Sequence, residues 1–64
     1  MKESSKMVEY HLYIDGKFDE AYPGTSEGLD DAKFDGRNCS CDEHAIYRVV
    51  DGVRGKCIER MREP

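Results

Sequence analysis

The chain has 64 residues, of which 38% are hydrophobic and 38% are charged, and its formal net charge is −4 at pH 7. This length predicts one domain with a small hydrophobic core. The sequence contains no apolar run near the roughly 20 residues that a membrane-spanning helix needs, and the polar start MKESSKM is not followed by the apolar segment of a secretory signal. Three cysteines, an odd number, favour reduced thiols and a cytoplasmic location.

The first segments predict a flexible N-terminal tail and then a strand. Residues 1–6 are polar and are expected to form the tail, which leaves residues 7–64 as a single small domain. In VEYHLYID, apolar and polar residues alternate with a period of two, which predicts a strand. One face of this strand carries its apolar side chains, which are Val8, Tyr10, Leu12 and Ile14.

A hairpin turn is predicted after this strand. Asp15-Gly16 is a typical tight-turn pair, and KFDEAY is the returning strand. A three-residue loop with Gly16 in the left-handed conformation pairs Leu12 with Phe18. It also places Phe18 and Tyr22 on the apolar face of the first strand, whereas a two-residue loop puts Phe18 on the opposite face. We therefore expect the three-residue loop, because it assembles one apolar face.

A short helix, or a single helical turn, is predicted after a strand-breaking Pro-Gly pair. Thr25 or Ser26 can cap its first turn, and acidic residues in the first turns suit the positive end of the helix dipole. Leu29 and Ala32 are three residues apart and are expected to face the sheet. Gly36 is the expected end of the helix.

The last third of the chain predicts a second hairpin. HAIYRVVDGVRGKCIERM contains the pair Asp51-Gly52, and the match of VVDG to the earlier YIDG predicts the same type of loop. The expected interior side chains are Ala45, Tyr47, Val49, Val53, Cys57 and Met61. The expected outer side chains are His44, Ile46, Arg48, Val50, Arg54, Lys56, Ile58 and Arg60. The chain therefore predicts an α+β fold of ββαββ order, in which two β-hairpins form a four-stranded antiparallel sheet with one short helix between them.

The stretch CSCDEH at 39–44 places two thiols and an imidazole within six residues. With Cys57 it supplies the four ligands of a structural zinc site, in the spacing C-x-C-x2-H-x12-C. Paired zinc cysteines are usually two residues apart, and a thiol on the core face of a strand packs as a small hydrophobe. We therefore predict loop thiols, one core thiol, a surface histidine and no cofactor. The alternative is a zinc-stabilised mini-domain that uses Cys39, Cys41, His44 and Cys57.

The same residues do not predict an enzyme. A redox pair normally lies at the start of a helix, whereas Cys39 and Cys41 follow the predicted helix and precede two acids, and both features disfavour the thiolate. A domain this small has little room for a substrate pocket of about 300 Å³ or more. No catalytic residues are therefore predicted.

Charge is unevenly distributed along the chain. Residues 1–43 contain eleven acidic and five basic residues, whereas residues 44–64 contain three acidic and five basic residues. Apolar side chains among the bases of the second hairpin favour a protein-binding surface for a larger partner, including a partner whose own surface is acidic. The predicted partner-binding residues are Ile46, Arg48, Val50, Arg54, Lys56, Ile58 and Arg60.

The leading functional hypothesis is a small non-enzymatic protein-binding module. The chain is short, acidic and hairpin-rich, and it resembles, in general character and not by any motif, the accessory proteins with which phages and mobile elements inhibit host enzymes. This resemblance implies a modulator or inhibitor of a larger host enzyme or complex. A homodimer is a further alternative, because self-association would bury surface that the small core of one chain leaves exposed. A nucleic-acid-binding β-ribbon is the second alternative, although the acidic net charge disfavours it.

Overall fold

The computed structural model describes residues 7–62 and contains four strands and one helix in the predicted ββαββ order. The elements are β1 (Val8–Ile14), β2 (Lys17–Pro23), α1 (Ser26–Asn38), β3 (Glu43–Val50) and β4 (Val53–Arg62). The strands form one antiparallel sheet in the order β2-β1-β3-β4. The predicted α+β fold of two hairpins and one helix is therefore confirmed. The tail predicted at residues 1–6 lies outside the described residues.

Both hairpins turn at an Asp-Gly pair, as predicted. Asp15 and Gly16 have φ values of 51° and 83°, and Asp51 and Gly52 have φ values of 52° and 81°. A positive φ at both central residues is typical of a two-residue type I′ turn, whose twist matches that of the strands. The residues that flank each turn pair directly with each other. The three-residue loops are therefore wrong, because aspartate as well as glycine adopts the left-handed conformation here.

Each turn aspartate also fixes the start of a neighbouring strand. Asp15 Oδ1 accepts hydrogen bonds from the backbone N–H groups of Asp42 at 3.1 Å and Glu43 at 3.0 Å, where β3 begins. Asp51 Oδ1 accepts one from the backbone N–H of Met7 at 2.9 Å, just before β1. The two turns therefore join the hairpins to each other as well as closing them.

A β-bulge in the first hairpin decides which side chains face the core. Tyr13 pairs with Phe18, whereas the preceding residue of β1 pairs with Glu20, so Asp19 is the extra residue of β2. Phe18 therefore shares the face of Tyr13 and is 54% exposed. Beyond the bulge, Tyr22 returns to the core face and is 6% exposed. The prediction for Tyr22 is confirmed, and the prediction that Phe18 joins the core is wrong.

Helix α1 begins at the predicted cap. Thr25 Oγ1 accepts a hydrogen bond from the backbone N–H of Gly28 at 3.0 Å, which satisfies one donor of the first turn. Ala32 is fully buried and Leu29 packs against the core, so both face the sheet as predicted.

Gly36 lies inside α1 and not at its end. The helix continues to Asn38, and Gly36 is buried against the ring of His44. A Cβ atom at Gly36 would lie 2.7 Å from Cδ2 of His44, which is closer than real contacts allow. The glycine that sequence assigns to a helix end is therefore a point of close packing between the helix and β3.

Replacing Thr25 with alanine should lower the free energy of unfolding by about 1 kcal/mol, because the N–H of Gly28 loses its acceptor. Urea denaturation monitored by circular dichroism measures this loss. Ser26→Ala is the matched control, since Ser26 is the neighbouring hydroxyl and is exposed. Equal losses in the two variants would contradict the assignment of the cap.

The core lies between α1 and one face of the sheet. Its buried cluster is Leu12, Tyr22, Ala32 and Ile46, and the partly buried side chains packed against it are Tyr10, Ile14, Leu29 and Ile58. Leu12 pairs directly with Ile46, so Ile46 must share the core face. Val53 and Met61, which sequence assigns to the interior, are 69% and 55% exposed. The predicted faces of the second hairpin are therefore wrong for Ile46, Val53 and Met61, whereas Ala45 and Val49 are buried, as predicted.

Candidate binding face

Helix α1 leaves one face of the sheet open. It packs on the side of Leu12 and Ile46, and no other element within residues 7–62 covers the opposite side. Four side chains, one from each of the four strands, meet on this open side. We call this cluster the aromatic face, and it consists of Tyr13, Phe18, Tyr47 and Arg54.

The rings of the aromatic face pack edge to face. The centroid of the Tyr13 ring is 5.8 Å from that of Phe18 and 5.5 Å from that of Tyr47, with interplanar angles of 78° and 84°. His11 adds an edge contact to Phe18 at 5.2 Å. Each such pair contributes about 0.5–1.5 kcal/mol beyond the area that it buries. The rings therefore hold each other in place while Phe18 stays largely accessible.

Arg54 lies across the two tyrosines. Its guanidinium carbon is 4.7 Å from the ring centroid of Tyr47 and 5.4 Å from that of Tyr13, which is within cation–π range. No carboxylate in the described part of the chain forms a salt bridge with Arg54. The aromatic face therefore presents an oriented positive charge that these carboxylates do not neutralise.

A second cation at the edge of this face is neutralised. Arg60 donates to Oε2 of Glu43 from Nη2 at 2.9 Å and from Nε at 3.2 Å. This hydrogen bonding and the charge of Glu43 raise the pKa of Arg60 above its ordinary value. Arg62 Nε lies 4.0 Å from Oε1 of Glu43. Glu43 thus compensates Arg60 and leaves Arg54 as the charge available to a ligand.

The structure separates the predicted partner-binding residues. Arg54 and Arg60 line the open side of the sheet. Ile46 is 0% exposed beneath α1, and Ile58 packs against the core. The prediction of one exposed face is therefore wrong, because the pairing of β3 with β1 turns Ile46 toward the helix. The other predicted residues are Arg48 and Lys56, which are exposed, and Val50, which is half-buried.

Sequence reasoning does not identify the three rings of the aromatic face as a site. Tyr13 stands among polar residues in β1, and Phe18 and Tyr47 are assigned to the interior. The sequence feature that could have indicated these rings is the preference of Asp-Gly for a two-residue turn, because such a turn places Phe18 on the same face as Tyr13.

Residues of the CSCDEH stretch line a cleft of about 370 Å³ between the end of α1 and the end of β4. The expectation that the domain has little room for a pocket of about 300 Å³ is therefore wrong. Cys39 caps the helix, and its N–H donates to the carbonyl of Gly36 at 3.4 Å. Burial, and then a hydrogen bond with Cys39, raise the pKa of the half-buried Cys41 thiol to about 11. A thiol with this pKa stays protonated at neutral pH, so it is a weak nucleophile.

The four residues of the zinc alternative do not meet. Cys57 pairs with Tyr47 and is exposed, whereas His44 lies three residues before Tyr47 in β3 and faces α1. All three cysteines are free, so the predicted core thiol, Cys57, is at the surface. Between residues 7 and 62, no group of three or more His, Cys, Asp or Glu side chains is arranged to hold a metal ion. The zinc alternative therefore lacks an assembled ligand set.

His44 is the centre of a buried polar cluster. Its side chain is 5% exposed, and Nε2 lies 2.9 Å from Oε2 of Glu59. Arg37 donates from Nη2 to Oε1 of Glu59 at 2.6 Å and from Nε to Oε2 at 3.2 Å. Burial opposes the charge on Glu59, but the hydrogen bonds from Arg37 and His44 outweigh it and lower the pKa of Glu59. The predicted surface histidine is therefore wrong for His44, which helps to fix α1 to β3 and β4.

Comparison with known proteins assigns no family: no family model matches the chain, and no curated protein or solved structure is significantly similar to it. In the part of the chain that the structure describes, no helix is long and apolar enough to cross a membrane. Fold and site together define the class of protein. It is a small ββαββ domain whose sheet is covered by a helix on one face and carries an aromatic, positively charged surface on the other.

Proposed function

We propose that the protein is a small, non-enzymatic protein-binding module and that the aromatic face is its binding surface. The observation that supports this is the gathering of Tyr13, Phe18, Tyr47 and Arg54 on the open side of the sheet. Tyrosine, phenylalanine and arginine are enriched in protein interfaces, and tyrosine and arginine dominate their binding energy. The proposed role is that of a cytoplasmic accessory protein that modulates or inhibits a larger enzyme or complex.

The distribution of charge favours a partner with an acidic surface. Helix α1 contains four acidic and two basic residues, so the covered side of the domain is acidic. The open side instead carries Arg54, whose charge no described carboxylate balances. An acidic partner is therefore attracted to the open side and repelled by the helix, which orients the domain during association.

Single-stranded nucleic acid is the second candidate for this surface. Aromatic and arginine side chains on a sheet are the means by which several domains stack successive bases. Here the rings meet at interplanar angles of 67° to 84°, so they do not form a row of parallel platforms. The net charge of −4 also opposes binding to phosphates. A protein partner is therefore the better match.

Replacing Phe18 with alanine should weaken capture of the partner at least about tenfold, because interface hot spots contribute about 2 kcal/mol or more each. The measurement is quantitative pull-down from a bacterial lysate on the immobilised protein, followed by titration of the captured protein. Phe34→Ala is the matched control. Phe34 is 67% exposed on α1 and Phe18 is 54% exposed on the open side, so both losses of an exposed ring should leave the fold intact.

Three results would contradict this proposal. The first is a partner that is lost with Phe34→Ala and retained with Phe18→Ala. The second is capture of single strands that requires Phe18 and falls steeply with salt, since counterion release would then identify nucleic acid as the ligand. The third is a homodimer, seen by sedimentation, that dissociates with Phe18→Ala, because the surface would then serve self-association.

A further inference from the structure

A small pocket on the open side of the sheet lies beneath Arg54. It has a volume of about 120 Å³, and its walls include Tyr13, Tyr47, Arg60 and Glu43. We propose that this pocket binds one carboxylate, namely an aspartate or glutamate side chain that the protein partner inserts. This inference rests on the proposed function and names the chemical group that the aromatic face recognises.

Arg54 is held in the orientation that such a ligand needs. The guanidinium stacks on Tyr47 at 4.7 Å and on Tyr13 at 5.4 Å, and this contact uses the face of the group. The N–H donors lie in the plane at its edge, where they can reach a planar acceptor. Two parallel N–H groups match the two oxygens of a carboxylate, so a pre-oriented guanidinium loses little freedom when it binds one.

The charges around the pocket select a monoanion. Arg60 is already paired with Glu43 at 2.9 Å, so this pair contributes no net charge. Arg54 adds one positive charge that no carboxylate within residues 7–62 pairs with, and a ligand carboxylate neutralises it. A phosphate with nearly two negative charges would leave one in excess and would be repelled by Glu43 across the same pocket.

The size of the pocket fits a side chain. A volume of about 120 Å³ gives room for a carboxylate with its adjoining methylene groups. Phe18, which is 54% exposed beside Tyr13, then offers an apolar surface to the backbone and neighbours of the inserted residue.

The test is an NMR titration of the isotope-labelled protein with three probes at equal ionic strength. The probes are glutamate capped at both ends, glutamine capped in the same way, and inorganic phosphate. The signals to follow are the Nε–H of Arg54 and the ring protons of Tyr13 and Tyr47. Capped glutamate should shift these signals in a saturable way, and capped glutamine should bind about tenfold or more weakly, because a hydrogen bond to a charged group is replaced by a neutral one.

Arg54→Gln should remove the response to capped glutamate, and Arg48→Gln should retain it. Arg48 is the matched control, because it is an exposed arginine on β3. Its pairing with Tyr10 places it on the helix side of the sheet, away from the pocket. Equal binding of the capped glutamate and glutamine, tighter binding of phosphate, or equal losses in the two variants would overturn the proposal.

The same variants separate this inference from the proposed function. A captured partner that requires Phe18 but binds Arg54→Gln as tightly as the wild type would overturn the carboxylate pocket and leave the binding module standing. If capped glutamate binds at Arg54 but no captured partner depends on Phe18, the carboxylate pocket stands and the proposed binding module is overturned.

Discussion

Replacing Glu59 with alanine should lower the free energy of unfolding by about 3 kcal/mol, the largest effect expected of any single side chain at the buried cluster. Glu59 is 14% exposed, and it accepts from His44, which is 5% exposed. Without the carboxylate, Nε2 of His44 stays buried with no acceptor, and the guanidinium of Arg37 loses both of its hydrogen bonds. For a domain of this size such a loss is a large part of the total stability.

Urea denaturation of the wild type and of Glu59→Ala measures this difference at neutral pH. Arg37→Gln is the control, because it removes the exposed partner of Glu59 and leaves the buried contact with His44. Exposed ion pairs contribute little, so the control should lose far less stability. A loss in Arg37→Gln as large as that in Glu59→Ala would show that the salt bridge, and not the buried contact, carries the effect.

The wild type and Glu59→Ala should also differ in how their free energies of unfolding change with acid. Because the pKa of Glu59 in the folded state is below its ordinary value of 4.5, the charged carboxylate stabilises the fold at higher pH. This contribution is complete above the unfolded-state pKa and disappears as the pH falls through the lower folded-state pKa. The gap in stability between wild type and Glu59→Ala should therefore be constant near neutral pH and shrink below about pH 4.5. A gap that does not change with pH would contradict the role of the charge.

Local signals in the sequence predict the elements well. Asp15-Gly16 and Asp51-Gly52 identify both turns, because few other pairs tolerate two successive positive φ values. The hydroxyl of Thr25 identifies the start of α1, because its oxygen accepts a hydrogen bond from the backbone N–H of Gly28, only three residues later. Each of these features depends on neighbours in the chain, so no knowledge of the tertiary structure is needed to find it.

The faces of the strands are not predictable in the same way, because single extra residues reverse them. Asp19 is the extra residue in the first hairpin, and it separates Phe18 from the core while returning Tyr22 to it. In the second hairpin the register shifts twice. Ile46 pairs with Glu59 and Tyr47 with Cys57, which leaves Ile58 as an extra residue, and Val49 pairs with Arg54, which leaves a second extra residue between Arg54 and Cys57. A shift of one position moves every later side chain to the other face, and sequence alone contains no marker of where the shift occurs.

Two of these bulges link the core to the candidate site. The two-residue turn places Phe18 beside Tyr13 on the open side, and the bulge at Asp19 returns Tyr22 to the core. The bulge at Ile58 lets Ile58 reach the core and Glu59 reach His44, while the following residue, Arg60, lies on the open side. Glu59, the acidic residue of β4, pairs with Ile46 on the helix side. Arg54 instead pairs with Val49, and Arg60 pairs with Ala45, both on the open side. Strand β4 therefore contributes arginines and no acid to the open side of the sheet.

Replacing Gly28 with alanine should destabilise the fold by about 2 kcal/mol, although alanine is the better helix former by about 1 kcal/mol. A Cβ atom at Gly28 would lie 2.0 Å from the carbonyl oxygen of Pro23 and 2.9 Å from its carbonyl carbon. Both atoms belong to the backbone, so the contact is relieved only if α1 moves away from the end of β2. That movement uncovers Ala32 and strains the capping hydrogen bond between Gly28 and Thr25.

The control for this effect is Asp31→Ala, which makes a comparable change at an exposed position of α1. It gains helix propensity without a steric cost and should be neutral or slightly stabilising. Urea denaturation of the two variants beside the wild type therefore separates the propensity of alanine from the space available to it. A Gly28→Ala protein at least as stable as the wild type would show that the helix can shift freely, and that the close approach of α1 to the end of β2 does not determine the fold.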